Sequence, residues 1–460
     1  MIASQLAYGQ NEKRVNQLDS ILTMMYHQNQ FNGTILIAEK GKVIFEKGYG
    51  YSNEQSKQIN NAKTIYELAS CSKQFTAAAI VLLKRQGKLN YTDYIAKYIP
   101  ELSFWEKITI YDLLRHTSGI PEYLADIPGK LDTTGIATNK DLIRFYEARN
   151  DTLKFEPGSR HRYCNTNYAL LASIIERVSG TSYAEFLVEN IFKPLKMTHT
   201  FVYNRRLQPR KITNYATGYV WADNSFDKVT SEDPRYGERM VYYLDGIVGN
   251  AKVNSTVQDV YLWIEALKAH TLFTKDEFDL MTNVSQTSSG QNIPYGFGLD
   301  VSKGDNKFSF GHTGSWDGYT TLIYHNVLKD RTIITLQNFK MGAYPFSNIN
   351  QILDEKPLTV EYKKKVDLQE ADLQKYCGTY IDENNKNEIQ YITALKGHLV
   401  HNSKKVAWGM RFFPVSSNQF QAVRQGGADG VLKFTTLQNG VVKLEMLQNG
   451  QVVGTGLRKM

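Results

Sequence analysis

At 460 residues the chain exceeds what one hydrophobic core normally holds, so two or three domains are expected. A hydrophobic content of 42% and an aromatic content of 12% suffice for a buried core and argue against global disorder; no apolar run approaches the roughly 18 residues of a membrane span. The net charge of +8 comes from Lys and Arg scattered among Asp and Glu, with no zinc-finger, RNP-type or other basic motif, so no nucleic-acid partner is expected.

The opening residues, Met1 to Gly9, lack a charged n-region and a full apolar stretch. Yet Ala7-Tyr8-Gly9 has the small-x-small form of a signal-peptidase site, and polar Gln10-Asn-Glu-Lys13 follows. They read as the tail of a trimmed export signal or as an ordinary terminus, and export to the periplasm or the exterior is the expectation. A helix is expected near residues 12–29. Thr34–Ile37 and Val43–Phe45 then flank Glu39-Lys-Gly-Lys42 and read as a hairpin.

A mostly helical stretch follows. Residues 71–86 form a continuous helix pattern stopped by Gly87, and residues 166–178 place Leu170, Leu171, Ile174, Ile175 and Val178 at helical spacing before Gly180. Ser182 with Glu185 offers a capping box for the next helix. A second β-rich region comprises 307–311, 319–325 and 331–337. Strands at both ends with helices between them predict an α+β domain closed by pairing of its ends.

The charged segment Glu361-Tyr-Lys-Lys-Lys365 reads as a linker or short solvated helix. Beyond it, Leu437-Gln-Asn-Gly440 recurs as Leu447-Gln-Asn-Gly450, and Asn-Gly is the favoured two-residue hairpin turn. Residues 431–457 should therefore form a three-stranded meander. The expected organisation is an N-terminal segment and helix over 1–29, a main domain over 30–355, a linker over 356–365 and a small antiparallel β domain over 366–460.

No cofactor or metal is expected. Cys71, Cys164 and Cys377 are too few for a disulfide scaffold, no Cys-x-x-Cys or His-Glu-x-x-His occurs, and His398 with His401 reads as surface polarity on a strand.

Three elements carry chemistry. In Ser70-Cys-Ser-Lys73, residues three apart share a helix face, so the Lys73 amine can meet the Ser70 hydroxyl. A serine hydroxyl needs a base, and a lysine serves if burial or other cations lower its pKa. In Tyr163-Cys-Asn165, the tyrosine is a second proton-transfer candidate, as phenolate or relay, and the amide can hold Lys73 and a substrate carbonyl. In Gly311-His312-Thr313-Gly314-Ser315, a strand of small residues lets a substrate backbone lie alongside. The Ser315 N–H could then join that of Ser70 as an oxyanion hole. Taken singly, each also fits a solvated helix start, an N-capped loop or a glycine-rich strand edge.

Together and in this order, Ser-x-x-Lys, Tyr-x-Asn and His-Thr-Gly resemble the serine β-lactamase and penicillin-binding-protein superfamily. The Tyr-x-Asn form is similar to the class C branch, with its D,D-carboxypeptidase, D-aminopeptidase and esterase relatives. Leu113 to Pro121, Phe155-Glu-Pro-Gly158, Pro194-Leu-Lys-Met197 and Gly249 through Ser255-Thr-Val-Gln-Asp259 support the resemblance, which spans roughly residues 30–345. It implies an antiparallel sheet flanked by helices with a mostly helical lobe beside it, and an acyl-enzyme on Ser70. Lys73 and Tyr163 would handle protons. Asn165, His312, Thr313, Gly314 and Ser315 would bind substrate, with the Ser70 and Ser315 amides holding the oxyanion. Tyr376-x-Gly378-x-Tyr380 resembles the start of the lipocalin-like β domains attached to many members.

Two features modify that expectation. Cys71 and Cys164 fall inside the motifs as small buried residues, with a disulfide between them left open. His312 stands where β-lactamases usually carry a lysine, which shifts weight toward a peptide, amide or ester substrate, cell-wall peptide included. A true β-lactamase is the alternative, and a catalytically silent peptidoglycan- or partner-binding protein is the alternative of another class. A monomer is the default.

Overall fold

A computed structural model describes residues 2–126, 135–222, 227–237, 240–340, 344–358, 362–382, 385–403, 406–423 and 429–459. The chain divides into two compact units, residues 32–341 and residues 1–31 with 342–460.

The first unit is built on a six-stranded antiparallel sheet. Its strands are β1 (Gly33–Glu39), β2 (Lys42–Tyr49), β3 (Asp300–Gly304), β4 (Lys307–Trp316), β5 (Tyr319–Asn326) and β6 (Arg331–Gln337), in the order β3-β4-β5-β6-β1-β2. β1 and β6 pair in the middle, from Gly33 opposite Gln337 to Glu39 opposite Arg331, so the two ends of the unit close it as their sequence implies. Every residue of β6, Arg-Thr-Ile-Ile-Thr-Leu-Gln, is buried, which suits a central strand rich in β-branched side chains and covered on both faces.

The helical stretch lies between β2 and β3. Its main elements here are α1 (Lys73–Arg85), α2 (Asn165–Ser179) and α3 (Val257–Lys268). α1 is buried from Lys73 through Leu83 and packs on α2, while α3 lies on β1 and β6. Phe75 meets Trp263 at 4.8 Å and Phe192 at 5.4 Å between ring centroids, locking α1 to α3. Gly180 ends α2 with φ +76°, and Ser182 and Glu185 form the expected capping box.

The 71–86 helix is the main local departure from the sequence reading. Residues Ala69–Ser72 form a 3₁₀ turn and the α-helix starts only at Lys73. Ala69 stands at φ +47°, a conformation that costs a non-glycine residue and interrupts regular helix geometry.

In the second unit the helices Ile2–His27, Phe346–Leu353 and Glu370–Gln374 accompany a closed eight-stranded antiparallel barrel over residues 378–458. The first helix thus begins earlier than the 12–29 expected. Leu399, Phe412, Phe420, Leu432, Phe434 and Leu444 fill the barrel, whose ends join through Tyr380 opposite Arg458. The last three strands, Asp429–Thr436, Val442–Gln448 and Gln451–Arg458, are the meander. Only the second Asn-Gly forms a two-residue turn, with Asn449 and Gly450 both at positive φ. The first sits in a longer loop, because Leu437 N–H bonds to the Val441 carbonyl and the Asn439 side chain caps Val441. His398 and His401 are buried rather than surface residues, with His401 Nε2 held 2.6 Å from the Gln390 amide oxygen. Residues 359–361, within the expected linker, lie outside the described residues.

Gly249 holds the loop that runs over α2. At φ +99° it is in a glycine region, and an added Cβ would meet the Tyr168 carbonyl oxygen at 2.3 Å and the Ala172 methyl at 2.6 Å. Gly249→Ala should therefore cost about 2–4 kcal/mol, read as a lower urea midpoint for loss of the near-UV circular dichroism.

Candidate active site

Ser70 lies in the 3₁₀ turn between a short strand, Tyr66–Glu67, and α1. The turn is tied down on three sides. Leu68 N–H donates to the Val253 carbonyl (2.8 Å), and the Leu68 carbonyl accepts from Cys71 N–H (3.1 Å) and from the Thr321 hydroxyl (2.8 Å). These bonds over-determine the strained Ala69 backbone and present Ser70 as a fixed projection at the head of α1.

Lys73 is fully buried. Its Nζ lies 3.0 Å from Ser70 Oγ, 2.9 Å from the Asn165 amide oxygen and 2.9 Å from the Asn250 backbone carbonyl. Burial disfavours the ammonium and brings the pKa down to about 7, against the opposing pull of Glu122. The amine is thus substantially neutral near physiological pH and can take a proton from the hydroxyl beside it.

Tyr163 lies over the same amine, with Lys73 Nζ 4.9 Å from its ring centroid. The side chain is partly open to solvent, yet the surrounding protein raises its pKa well above 10 by desolvation, with Ser70 hydrogen bonding working the other way. Of the two roles open in the sequence, the protonated phenol that relays a proton suits this environment, and a standing phenolate does not. Asn165 is the first residue of α2, and Cys164 is its cap.

β4 brings in the third element. Along Gly311-His-Thr-Gly-Ser315, Thr313 and Ser315 are exposed while His312 and Gly314 are buried, the alternation of a strand with one face packed. Gly314 is what lets β4 approach the Ser70 turn. A Cβ there would sit 2.4 Å from the Leu68 carbonyl oxygen and 3.1 Å from Ser70 N. His312 turns inward, where Nδ1–H donates to the Thr313 carbonyl (2.5 Å) and Nε2 accepts from the Tyr295 hydroxyl (3.0 Å). Burial, with Lys73 adding to it, lowers its pKa to about 3, so the ring is neutral.

Four further residues complete the site and went unremarked in the sequence: Glu122, Asn250, His116 and Tyr295. Glu122 binds the start of α2, Asn250 supplies its carbonyl to Lys73, and His116 stacks 4.4 Å from Tyr163 while its Nδ1 accepts from Cys164 N–H (3.1 Å). His116 and Asn250 lay in stretches that stood out as family-like, and Glu122 directly follows one of them; Tyr295 is joined to the motifs by folding alone. Cys71 and Cys164 are free thiols, Cys71 Sγ donating to the His312 carbonyl and Cys164 Sγ facing the Ile120 carbonyl. No group of three or more His, Cys, Asp or Glu among the described residues could hold a metal ion.

A buried ion network braces both walls. Lys252 pairs with Asp245 (2.8 Å) and Glu67 (3.4 Å), and Arg206 reaches Asp245 (3.4 Å) and Asp317 (2.7 Å). Glu67 immediately precedes the Ser70 turn and Asp317 immediately follows β4.

Comparison with known proteins converges on one family. The Beta-lactamase family model matches residues 18–351. A penicillin-binding protein of Bacillus subtilis (strain 168) is 34% identical over 381 residues, covering 81% of this chain and 84% of that protein. Among solved structures, the octameric penicillin-binding protein homologue from Pyrococcus abyssi superposes with a TM-score of 0.65 at 24% identity, over 96% of this chain and 99% of that one. The D-amino acid amidase from Ochrobactrum anthropi SV3, complexed with L-phenylalanine amide, gives 0.59 at 22% identity over 74% of this chain and 96% of that one.

Two outcomes follow from the geometry. The rate at which a fluorophosphonate labels Ser70 should rise with pH through about 7, as Lys73 loses its proton, and His312→Asn should keep that limb where it is. Gly314→Ala, which forces β4 off the Ser70 turn, should slow labelling by about 10²-fold with the fold intact by circular dichroism.

Proposed function

The chain belongs to the β-lactamase family, and on that premise we propose that it is a serine hydrolase that forms an acyl-enzyme on Ser70, on amide, peptide or ester substrates. The observation that carries this reading is the buried, largely neutral Lys73 amine 3.0 Å from the Ser70 hydroxyl. In acylation, Lys73 takes the hydroxyl proton as Ser70 Oγ bonds to the substrate carbonyl carbon. The oxyanion so formed is held by the Ser70 and Ser315 N–H groups. As the carbonyl re-forms, the leaving nitrogen or oxygen departs with a proton relayed from Lys73 through the Tyr163 hydroxyl. Water then attacks the ester, its proton returning by the same groups, and the acid product leaves Ser70 free.

His312 bears on substrate choice. A lysine at this place would offer a permanent cation to a substrate carboxylate; a neutral ring with both nitrogens engaged offers none. We therefore favour substrates whose group at that end is an uncharged amide or ester over dedicated β-lactam hydrolysis. The amidase among the fold neighbours supports the same direction. A silent binder is disfavoured because a buried lysine kept short of its full charge is costly, and binding alone does not require one. An exported enzyme meeting small-molecule or wall-peptide substrates is the setting we infer.

Fluorophosphonate or fluorescent-penicillin labelling should occur with wild type and vanish in Ser70→Ala; equal signals would refute the enzyme. In a parallel screen, D-aminoacyl amides or p-nitrophenyl esters should exceed nitrocefin in kcat/KM by about 10²-fold. His312→Lys should narrow that gap about tenfold, since each 1.4 kcal/mol of added carboxylate recognition is a factor of ten. Nitrocefin as the best substrate of wild type would overturn the substrate reading.

A further inference from the structure

Glu122 touches no motif in the sequence, yet it holds one of them in place. Its Oε2 accepts from the Asn165 backbone N–H at 2.6 Å and from the Asn165 side-chain Nδ2 at 3.2 Å; its Oε1 accepts from Leu124 N–H at 3.1 Å. α2 begins at Asn165, and its N-cap residue, Cys164, makes no side-chain cap bond. The carboxylate therefore takes the place of a cap, with its charge at the positive end of a 15-residue helix.

The consequence reaches the reacting atoms. A carboxylate only accepts, so the Asn165 atom facing Glu122 must be the NH₂, and the amide oxygen is turned to Lys73. A neutral lysine amine has two N–H bonds and one lone pair. The Asn165 and Asn250 carbonyl oxygens, each 2.9 Å away, can only accept and so claim both N–H groups. The lone pair is left for the third neighbour, the Ser70 hydroxyl at 3.0 Å. With the Asn165 amide reversed, its NH₂ would draw the lone pair away from Ser70.

We propose that Glu122 is a positioning residue which fixes the Asn165 amide and thereby aims the Lys73 lone pair at the Ser70 hydroxyl, its negative charge favouring the protonated amine once the transfer has occurred. This rests on Lys73 being the base. Another charge acts on the same amine: Asp300 from β3 also favours its charged form, while the Cys71 and Cys164 thiols, pushed up to about 12 by burial, stand near it uncharged. The His116 and His312 rings stand near it uncharged, and Tyr163 and Tyr168 present ring faces at 4.9 and 5.8 Å.

The test is the pH dependence of fluorophosphonate labelling in the full-length protein. Glu122→Gln keeps an acceptor for Asn165 and loses the charge, so its acidic limb should move to lower pH by at least about half a unit. Glu122→Leu loses both functions and should label at least about tenfold more slowly at every pH, a defect that Glu122→Gln largely escapes. A Gln limb superimposed on that of wild type, with the Leu variant slowed no more than Gln, would overturn the proposal. Wild type that labels no better than Ser70→Ala would instead sink the hydrolase reading, and the Glu122 role with it.

Discussion

The Lys73 amine is buried, paired with no carboxylate among the described residues, and much of the first unit can be understood as the means of keeping it so. An ammonium in that position loses its water and is hydrogen-bonded by neutral oxygens, and the nearby Glu122 and Asp300 charges do not make up the loss, which is why its pKa falls to about 7. The closure comes from α1, buried on all sides from Lys73 to Leu83, and from α2 packed against it. Seating a lysine at the first turn of the most enclosed helix lets one element be both core and base.

On the proposed reading, placing Lys73 as base would be of little use if Ser70 and the Ser70 and Ser315 N–H groups drifted. Here the constraint passes to the backbone. The Ala69 conformation is held by hydrogen bonds to Leu68 from Thr321 on β5 and to the Val253 carbonyl, and β4 is drawn close because Gly314 has no side chain. The ion network through Lys252, Asp245, Arg206 and Asp317 links the strand that leads into Ser70 with the turn that leaves β4. Buried charges of this kind contribute little net stability, but removing one partner leaves another uncompensated, so they specify a geometry.

This division explains what could be read from the chain in advance. The stops at Gly87 and Gly180 and the capping box at Ser182 are local signals, and local signals survive into the fold; the pairing of β1 with β6 was read from the placing of β-rich runs at both ends of a helical stretch. The three motifs were legible because each keeps its reactive residues within a few positions of one another. The roles of Glu122 and Asn250 were not: one follows and the other lies within a family-like stretch, but neither stretch says that Glu122 will hold Asn165 or that the Asn250 carbonyl will meet Lys73. Contacts spanning 43 residues, from Glu122 to Asn165, and 177, from Asn250 to Lys73, exist only after packing. The start of α1 was misjudged for a related reason: the sequence favours helix from Cys71, and tertiary bonds to Leu68 override it through Ala69.

The neutrality of His312 ties the base to the substrate question. A permanent cation at that position would itself depress the Lys73 pKa by repulsion, whereas a neutral ring leaves desolvation as the leading cause, with Glu122 and Asp300 pulling the other way. A base tuned by desolvation is sensitive to how dry the site is. A substrate that covers the open face of Tyr163 and the exposed Thr313 and Ser315 side chains would expel more water and favour the neutral amine further. Uncharged substrates cover the site without bringing a carboxylate whose field would re-protonate Lys73. On the proposed reading, the same residue that withholds a carboxylate-binding charge thus leaves a base that substrates without a carboxylate would serve best.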